Sequence, residues 1–213
     1  MGEFLAQHRE QILVACGQHL ALVLPCLAAA ALLGVGIAAL VHHHPVAHAT
    51  SDTLAALAMT VPSFAVLGAL LVLTGGGRAS GVAAVTFFAV LPILRHGLLG
   101  LRGIPTVLTD SAKGLGMGRV RVLTTVQLPL AWPVILAGIR VSARLCTGIA
   151  ALVAYTVGSG LGGLVFAGLA RGQGDDAVGL VLTGVVGALL LVAVLDLALV
   201  LLGRLTIPRG LRG

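Results

Sequence analysis

Few residues of this chain have the types and spacing needed for chemistry, and Ser159 is the first to consider. It lies between Gly158 and Gly160 and could act as a nucleophile. A serine nucleophile needs a base within hydrogen-bonding reach, and no histidine follows His96 in the sequence. Only tertiary folding could supply that base. We therefore predict no catalytic residue and expect a glycine-rich turn, re-entrant or external, at residues 158–160.

Histidine is the second candidate, because four histidines occur at positions 42, 43, 44 and 48. Such a cluster could suggest a metal site. Three consecutive side chains cannot all reach one ion from a regular helix, and Pro45 interrupts the spacing between His44 and His48. We expect a short polar turn here, with no metal ion and no cofactor.

Asp196 is the third candidate, since its carboxylate lies within the apolar stretch LLLVAVLDLALVLLG. Acidic residues in such stretches are costly and are usually paired. Arg140 and Arg144 are four residues apart and share one helix face. Arg140 and Asp196 each lie roughly 10 Å from the same end of their predicted helices, at 1.5 Å rise per residue. We predict an Arg140–Asp196 ion pair that braces two helices; contact between Asp196 and a transported solute is the alternative.

The composition identifies the elements that must position these residues. The chain has 213 residues, of which 58% are hydrophobic and 9% charged, and its mean hydropathy is +1.11. A soluble domain is normally about 25% charged. Ten-residue segments of alternating polarity, which mark a membrane barrel, do not occur. We predict an all-α, polytopic membrane protein whose residues 1–213 form a single transmembrane domain in contact with lipid. The net charge of +6 fits basic loops at a membrane surface better than nucleic-acid binding.

About 20 apolar residues are needed to cross a membrane, and the sequence offers five such segments. Ser51 and Asp52 are placed to cap the second. Cleavage of the first segment as a signal peptide, after residues 47–49, is a weaker alternative because its apolar run is too long. The predicted spans are residues 20–41, 53–74, 80–100, 133–156 and 177–203.

Basic residues predict the orientation of these spans. The connection between spans three and four and the segment after span five fall on one side. The basic residues at or within these two regions are Arg95, Arg102, Lys113, Arg119, Arg121, Arg204, Arg209 and Arg212. The other side carries Arg9, Arg78 and Arg171 together with Glu3, Glu10, Asp175 and Asp176. We therefore expect a multi-pass protein of the cell membrane with its C-terminus and the histidine turn in the cytoplasm and its N-terminus outside.

The connection at about residues 102–130 has a structure of its own, and we call it the coupling loop. Its core reads TDSAKGLGMGRVRVLTTVQLPLAWP, with apolar residues at helical spacing and glycines at 114, 116 and 118. This pattern predicts two short amphipathic helices joined by a sharp turn, because glycine accepts φ > 0. A loop of this length with its own helices is unlikely to be passive, so we expect it to dock on a partner.

The same loop resembles the signature loop of permease subunits of binding-protein-dependent ABC importers. That pattern is roughly Glu-Ala-Ala, three residues, Gly, about nine residues, then Ile-x-Leu-Pro. Asp110, Ser111 and Ala112 stand at its first positions, Gly116 at its glycine, and Val126-Gln127-Leu128-Pro129 at its end. Asp in place of Glu and Ser in place of Ala keep the charge and the small size.

Three flanking motifs resemble the osmoprotectant branch of that family, which imports glycine betaine, choline, carnitine or proline-like solutes. They are TVPSFA at residues 60–65, LPILR at 91–95 and VGSGLG at 157–162. Together with the loop they extend the resemblance over roughly residues 50–200.

The resemblance implies partners. Two permease subunits, a second copy or a paralogue, would form the pathway, two ATPase subunits would dock beneath them, and an extracytoplasmic binding protein would deliver solute. The chain lacks the G-x-x-x-x-G-K-[ST] phosphate loop, so ATP hydrolysis would come from a partner. The residues implied in coupling are Asp110, Ser111, Ala112, Gly114, Gly116, Leu128 and Pro129.

The pathway itself is harder to predict. Pro62 and Pro92 interrupt spans two and three, and a kink satisfied by neighbouring helices explains both. Our sharper hypothesis is that Thr60, Pro62 and Ser63 line the pathway. Quaternary ammonium groups bind aromatic faces, but the five Phe, one Tyr and one Trp form no cage that sequence can assemble. We expect selection to occur in the binding protein, and keep two alternatives: a permease for another small solute, such as an amino acid or a sulfonate, and a non-transporting scaffold.

Overall fold

The computed structural model of the chain describes residues 2–172, 174–208 and 210. Arg209 and Arg212, which the orientation prediction uses, lie outside the described residues, as do the side chains of Glu3 and Asp175.

Helices make up the described part of the chain, which contains no strand, so the all-α prediction is confirmed. In chain order they are α1 (Gly2–Gln7), α2 (Arg9–Val41), α3 (Pro45–Thr60), α4 (Ser63–Thr74), α5 (Arg78–Arg102), α6 (Thr106–Gly114), α7 (Arg119–Val122), a π-helical turn (Leu123–Gln127), α8 (Leu128–Val157), α9 (Leu161–Ala170) and α10 (Asp175–Thr206).

Within the described ranges, four helical stretches are long and apolar enough to cross a membrane: Arg9–Val41, Arg78–Arg102, Arg119–Val157 and Asp176–Thr206. Helices α3 and α4 make a fifth crossing if they are taken together. Four of the five predicted spans are therefore single long helices, and the second corresponds to the bent α3–α4 pair. The first is longer than expected, because α2 begins at Arg9 and its added turns pack against the helices that follow α8.

The second crossing is broken where the sequence reads VPS. Val61 and Pro62 are both extended, with ψ of 129° and 123°. A proline disfavours the helical region for the residue before it, so α3 ends before Val61. Helices α3 and α4 consequently meet at 95°. Pro92 differs, since α5 continues through it from Arg78 to Arg102, so the third span is not broken there.

Helix α5 lies at the centre of the fold, packed against α2 and α8. Small residues allow this close approach. A Cβ atom added at Gly34 of α2 would lie 2.9 Å from Cγ2 of Ile93, and one added at Gly138 of α8 would lie 2.6 Å from Cβ of His96. Ser142 also donates a hydrogen bond of 2.7 Å to the carbonyl oxygen of Ala89. These contacts make α2, α5 and α8 one rigid unit.

A second, smaller core joins α2, α9 and α10, towards the end of the molecule where α8 ends and α9 begins. Its buried members are Ala15, Leu161, Leu164, Leu180 and Leu191. The turn between α8 and α9 is anchored here. The amide of Gly160 donates to Oε1 of Gln18 at 2.9 Å, and Nε2 of His19 lies 3.2 Å from the carbonyl oxygen of Thr147.

That turn is rich in glycine, as the sequence predicted. Gly158 and Gly160 have φ of 66° and 81°, values that side chains rarely adopt. The histidine beside this turn is His19, and its ring links α2 to α8.

Candidate coupling loop and transmembrane pathway

Helix α6 ends in a hydrogen-bonding pattern that requires a glycine at position 116. The amide of Gly116 donates to the carbonyl oxygen of Lys113 at 2.9 Å, and the amide of Met117 donates to that of Ala112 at 3.2 Å. With φ of 83° at Gly116, these two bonds form a Schellman motif. The chain therefore reverses sharply at the position where the sequence predicted a turn.

The second predicted short helix is not a separate element. Helix α7 has four residues and continues through the π-helical turn into α8. The amide of Leu128 bonds to the carbonyl oxygen of Leu123, five residues back, just before Pro129, which has no amide hydrogen to offer. The π-helical turn lets the helix pass the proline, so the prediction of two short helices holds for α6 only.

The tip of the coupling loop exposes apolar side chains. Leu115 and Val120 are 80% and 75% exposed, and Val107 and Leu108 beside them are exposed as well. Ala112, on the same predicted apolar face, points inward and is buried against the rest of the loop. An exposed apolar patch of this kind is typical of a surface that meets another protein or a membrane.

The remaining residues implied in coupling lie around this turn. Asp110 is one turn inside α6 rather than at its start, and Nζ of Lys113 lies 3.1 Å from its Oδ1. Ser111 is exposed, and Gly114 ends α6. Leu128 packs against the main core, while Pro129 is exposed in the first turn of α8. The loop is thus joined rigidly to the fourth crossing.

A basic cleft of about 520 Å³ separates the coupling loop from the turn at residues 42–44. Arg102, Lys113 and Arg119 line it together with the three histidines of that turn. Partial burial first, and then the positive charges of His42, Lys113 and Arg119, lower the pKa of His43 below 6.5. The histidine turn and the coupling loop therefore lie at the same end of the molecule.

The predicted pathway residues lie at the break between α3 and α4. The hydroxyl of Thr60, the last residue of α3, donates to the carbonyl oxygen of Leu57 at 2.7 Å. Pro62 is exposed, and Ser63 begins α4 half-buried.

Sequence analysis missed the aromatic residues that converge next to this break. The ring centroids of Phe64 and Tyr155 are 5.9 Å apart, and those of Tyr155 and Phe166 are 5.2 Å apart. The only signal in the sequence is the position of two of the three rings. Phe64 lies within the motif at residues 60–65, and Tyr155 lies two residues before the motif at residues 157–162.

Asp196 is contacted by both arginines of α8. Arg140 donates through Nε to Oδ1 at 2.9 Å and through Nη2 to Oδ2 at 2.8 Å. Arg144 adds a bond from Nη2 to Oδ1 at 2.9 Å, a second partner that the sequence analysis did not include. The structure thus brings Arg140 and Asp196 together in a bidentate pair between α8 and α10, of the geometry that carboxylates form best with arginine.

A further ion pair joins the third crossing to α3. Nε of Arg95 lies 2.8 Å from Oδ1 of Asp52, and both side chains are exposed. The expectation that Asp52 caps the second span is wrong, because α3 begins at Pro45 and Asp52 lies in its middle.

Comparison with known proteins places the chain in a family. The model of the binding-protein-dependent transport system inner membrane component matches residues 30–207. The chain is 36% identical over 157 residues to the glycine betaine/carnitine/choline transport system permease protein OpuCB of Bacillus subtilis, covering 74% of this chain and 70% of that protein. It is 32% identical over 210 residues to the choline transport system permease protein OpuBB of the same organism, covering 99% and 95%.

The fold is similar to that of a solved transporter. The inward-facing MetNI methionine ABC transporter matches with a TM-score of 0.77 over 89% of this chain and 93% of the matched chain, at 19% identity. The family match, the relatives and the five crossings lead to one conclusion: this chain belongs to the inner membrane components, or permease subunits, of binding-protein-dependent ABC transport systems.

Proposed function

We propose that this permease subunit imports quaternary ammonium osmoprotectants such as glycine betaine, choline or carnitine. The observation that carries the proposal is the similarity over 99% of the chain to a protein named as a choline transport permease. Other relatives are named for carnitine and for glycine betaine and proline betaine, at 32% identity each. These solutes share a fully substituted ammonium group.

The coupling loop is our proposed docking site for a separate ATPase. Its exposed apolar side chains, Leu115 and Val120 above all, need a partner to cover them. Its rigid junction with α8 would carry a movement of the docked ATPase directly into the fourth crossing. The sequence contains no phosphate loop, and we propose that a separate subunit supplies the ATP hydrolysis. The residues assigned to this role are Asp110, Ser111, Ala112, Gly114, Gly116, Leu128 and Pro129.

A second permease subunit completes the proposed pathway. Asp52 and Arg95 are charged, exposed and part of helices that belong to the crossings. Ionised groups at such positions do not face lipid, because the cost is several kcal/mol. The α3–α5 face that carries them therefore faces the aqueous pathway or the second permease. Thr60, Pro62 and Ser63 lie on this crossing and are proposed to line the pathway.

The orientation is part of the same proposal. The basic residues of the coupling loop support a cytoplasmic position for it, with the N-terminus outside, where a binding protein would deliver solute. The Arg140–Asp196 pair is proposed to brace the crossings rather than to contact solute, since two arginines already occupy both carboxylate oxygens.

The proposal is tested by purifying the tagged permease with its ATPase and binding protein, and measuring ATPase activity against a panel of solutes. We expect glycine betaine, choline or carnitine to stimulate hydrolysis. Stimulation by an amino acid or a sulfonate alone would reject the solute class and keep the transport role. Failure of any ATPase to copurify through the coupling loop would favour a scaffold.

A further inference from the structure

We propose that Phe64, Tyr155 and Phe166 form a cation–π site that receives the ammonium group of the solute at the outer end of the pathway. We call these three rings the aromatic site. The inference rests on the proposed function, because it takes the quaternary ammonium class from there and assigns it a place in this subunit.

The geometry of the rings suits a cation. Tyr155 is the central ring, with its centroid 5.9 Å from that of Phe64 and 5.2 Å from that of Phe166. The planes are inclined by 57° and 64°, so the rings are not stacked face to face. A cation is attracted when it lies over a ring face within about 6 Å of the centroid.

Two of the three rings are exposed, although they belong to an apolar membrane protein, and Phe166 is half-buried. Tyr155 is 62% exposed and Phe64 is 53% exposed, whereas Phe88 in the main core is 3% exposed. Core packing therefore does not explain the cluster. The sequence contains five Phe, one Tyr and one Trp, and three of these seven residues meet here.

Three different helices supply the rings, so their meeting depends on the tertiary fold. Phe64 lies in the first turn of α4, directly after the Pro62 break, Tyr155 lies in the last turn of α8, and Phe166 lies in α9. Helix α8 starts beside the coupling loop at Leu128, and Tyr155 is about 40 Å further along it at 1.5 Å per residue. The aromatic site is thus at the end where a binding protein would release solute.

The electrostatic surroundings favour a weak, passing interaction. Residues 53–77 and 145–170, which carry all three rings, contain no Lys, Arg, Asp or Glu. No carboxylate on these segments holds an ammonium group, and Arg144, which precedes the second segment and lines a groove with Phe166, is paired with Asp196. Ring faces alone provide the attraction, which allows the solute to be accepted from the binding protein and passed on.

The test uses the complete transporter in proteoliposomes, with uptake of choline and glycine betaine measured at several concentrations. Phenylalanine analogues carrying one, two or three fluorines replace Phe64 or Phe166 individually, because fluorine weakens the negative ring face while leaving its shape almost unchanged. We expect uptake efficiency, kcat/KM, to fall stepwise with each added fluorine, and Tyr155→Leu to lower it about threefold to tenfold, the range of a partly desolvated cation–π contact. Tyr155→Phe should retain most of the activity.

Matched controls separate the outcomes. The same fluorinated residues at Phe87, an exposed ring of α5 that pairs with Phe88, should leave uptake unchanged. If uptake is independent of fluorine content at positions 64 and 166 while the wild type transports choline or glycine betaine, the aromatic site is rejected and the proposed function stands. A wild type that transports neither solute rejects the proposed function and the site with it.

Discussion

At the residue scale, the carboxylate of Asp196 links two helices through its hydrogen bonds. It accepts three hydrogen bonds from two arginines of α8. Removing the acid leaves two arginines four residues apart with no counter-charge, whereas removing either arginine leaves the acid with one partner. If the ion pair braces the two helices, loss of the acid should therefore cost more stability than loss of either arginine.

We predict that Asp196→Asn destabilises the subunit more than Arg140→Gln or Arg144→Gln does. The double variant of Asp196 and Arg140 should be non-additive by about 1 kcal/mol or more, because the two residues share one interaction. Thermal unfolding of the detergent-purified protein measures this. Additive losses for Asp196→Asn and Arg140→Gln would reject the bracing role.

His43 provides a second residue-scale prediction, one that depends on pH. Its folded pKa is lowered below 6.5 by partial burial and by the neighbouring positive charges of His42, Lys113 and Arg119. The folded state therefore binds its proton less readily than the unfolded state, so protonation of His43 costs stability. This penalty is absent well above pH 6.5, develops as the pH falls from 6.5 towards the lowered pKa, and is complete below it.

Melting temperatures of wild type and His43→Gln measured between pH 8 and pH 5 test this linkage. The variant should lose less stability on acidification than the wild type does, because it lacks the group that must be protonated. His8→Gln, an exchange at a histidine of the opposite end, is the control. Parallel pH profiles for wild type and His43→Gln would show that His43 does not contribute.

At the element scale, the Schellman turn that ends α6 is the feature on which coupling depends. Gly116 has φ of 83°, a value that proline cannot adopt, and its amide donates to Lys113. We predict that Gly116→Pro abolishes ATP-coupled uptake while membrane insertion stays intact, because the turn lies outside the five crossings. Uptake assays and membrane fractionation of the same cells measure the two effects.

Gly118→Ala is the matched control, since Gly118 has φ of −69°, which alanine adopts freely, and a Cβ atom there has no neighbour within 4 Å. It should transport normally. Gly116→Ala should fall between the two, because alanine has space at this position but strains a left-handed turn by about 1 kcal/mol. Normal uptake by Gly116→Pro would remove the turn from the mechanism.

The helices themselves show what the sequence could and could not predict. The five crossings follow from hydropathy and proline position, and the turn at Gly116 follows from glycine spacing. The continuity of α7 with α8 could not be foreseen, because Pro129 is a normal helix stop and only the π-helical turn before it lets the helix pass. Asp52 resembled a cap because the polar residues before it conceal the true start of α3 at Pro45. The meeting of Tyr155 with Phe64 and Phe166 is tertiary, so no local pattern encodes it.

At the scale of the whole molecule, the features form a line from one side of the membrane to the other. The aromatic site lies at one end, the charged α3–α5 face between Asp52 and Arg95 follows, and the coupling loop lies at the other end. Helix α8 connects the two ends as one continuous element from the π-helical turn to Val157. We infer that movement of a docked ATPase reaches the outer end of the pathway through this helix.

The measurement that tests this account most directly is accumulation of radiolabelled glycine betaine and choline in proteoliposomes containing the permease, its ATPase and its binding protein. We predict uptake that requires ATP and the binding protein and that is lost in Gly116→Pro but not in Gly118→Ala. Failure of the wild-type complex to accumulate either solute, or equal accumulation by the Gly116→Pro complex, would contradict it.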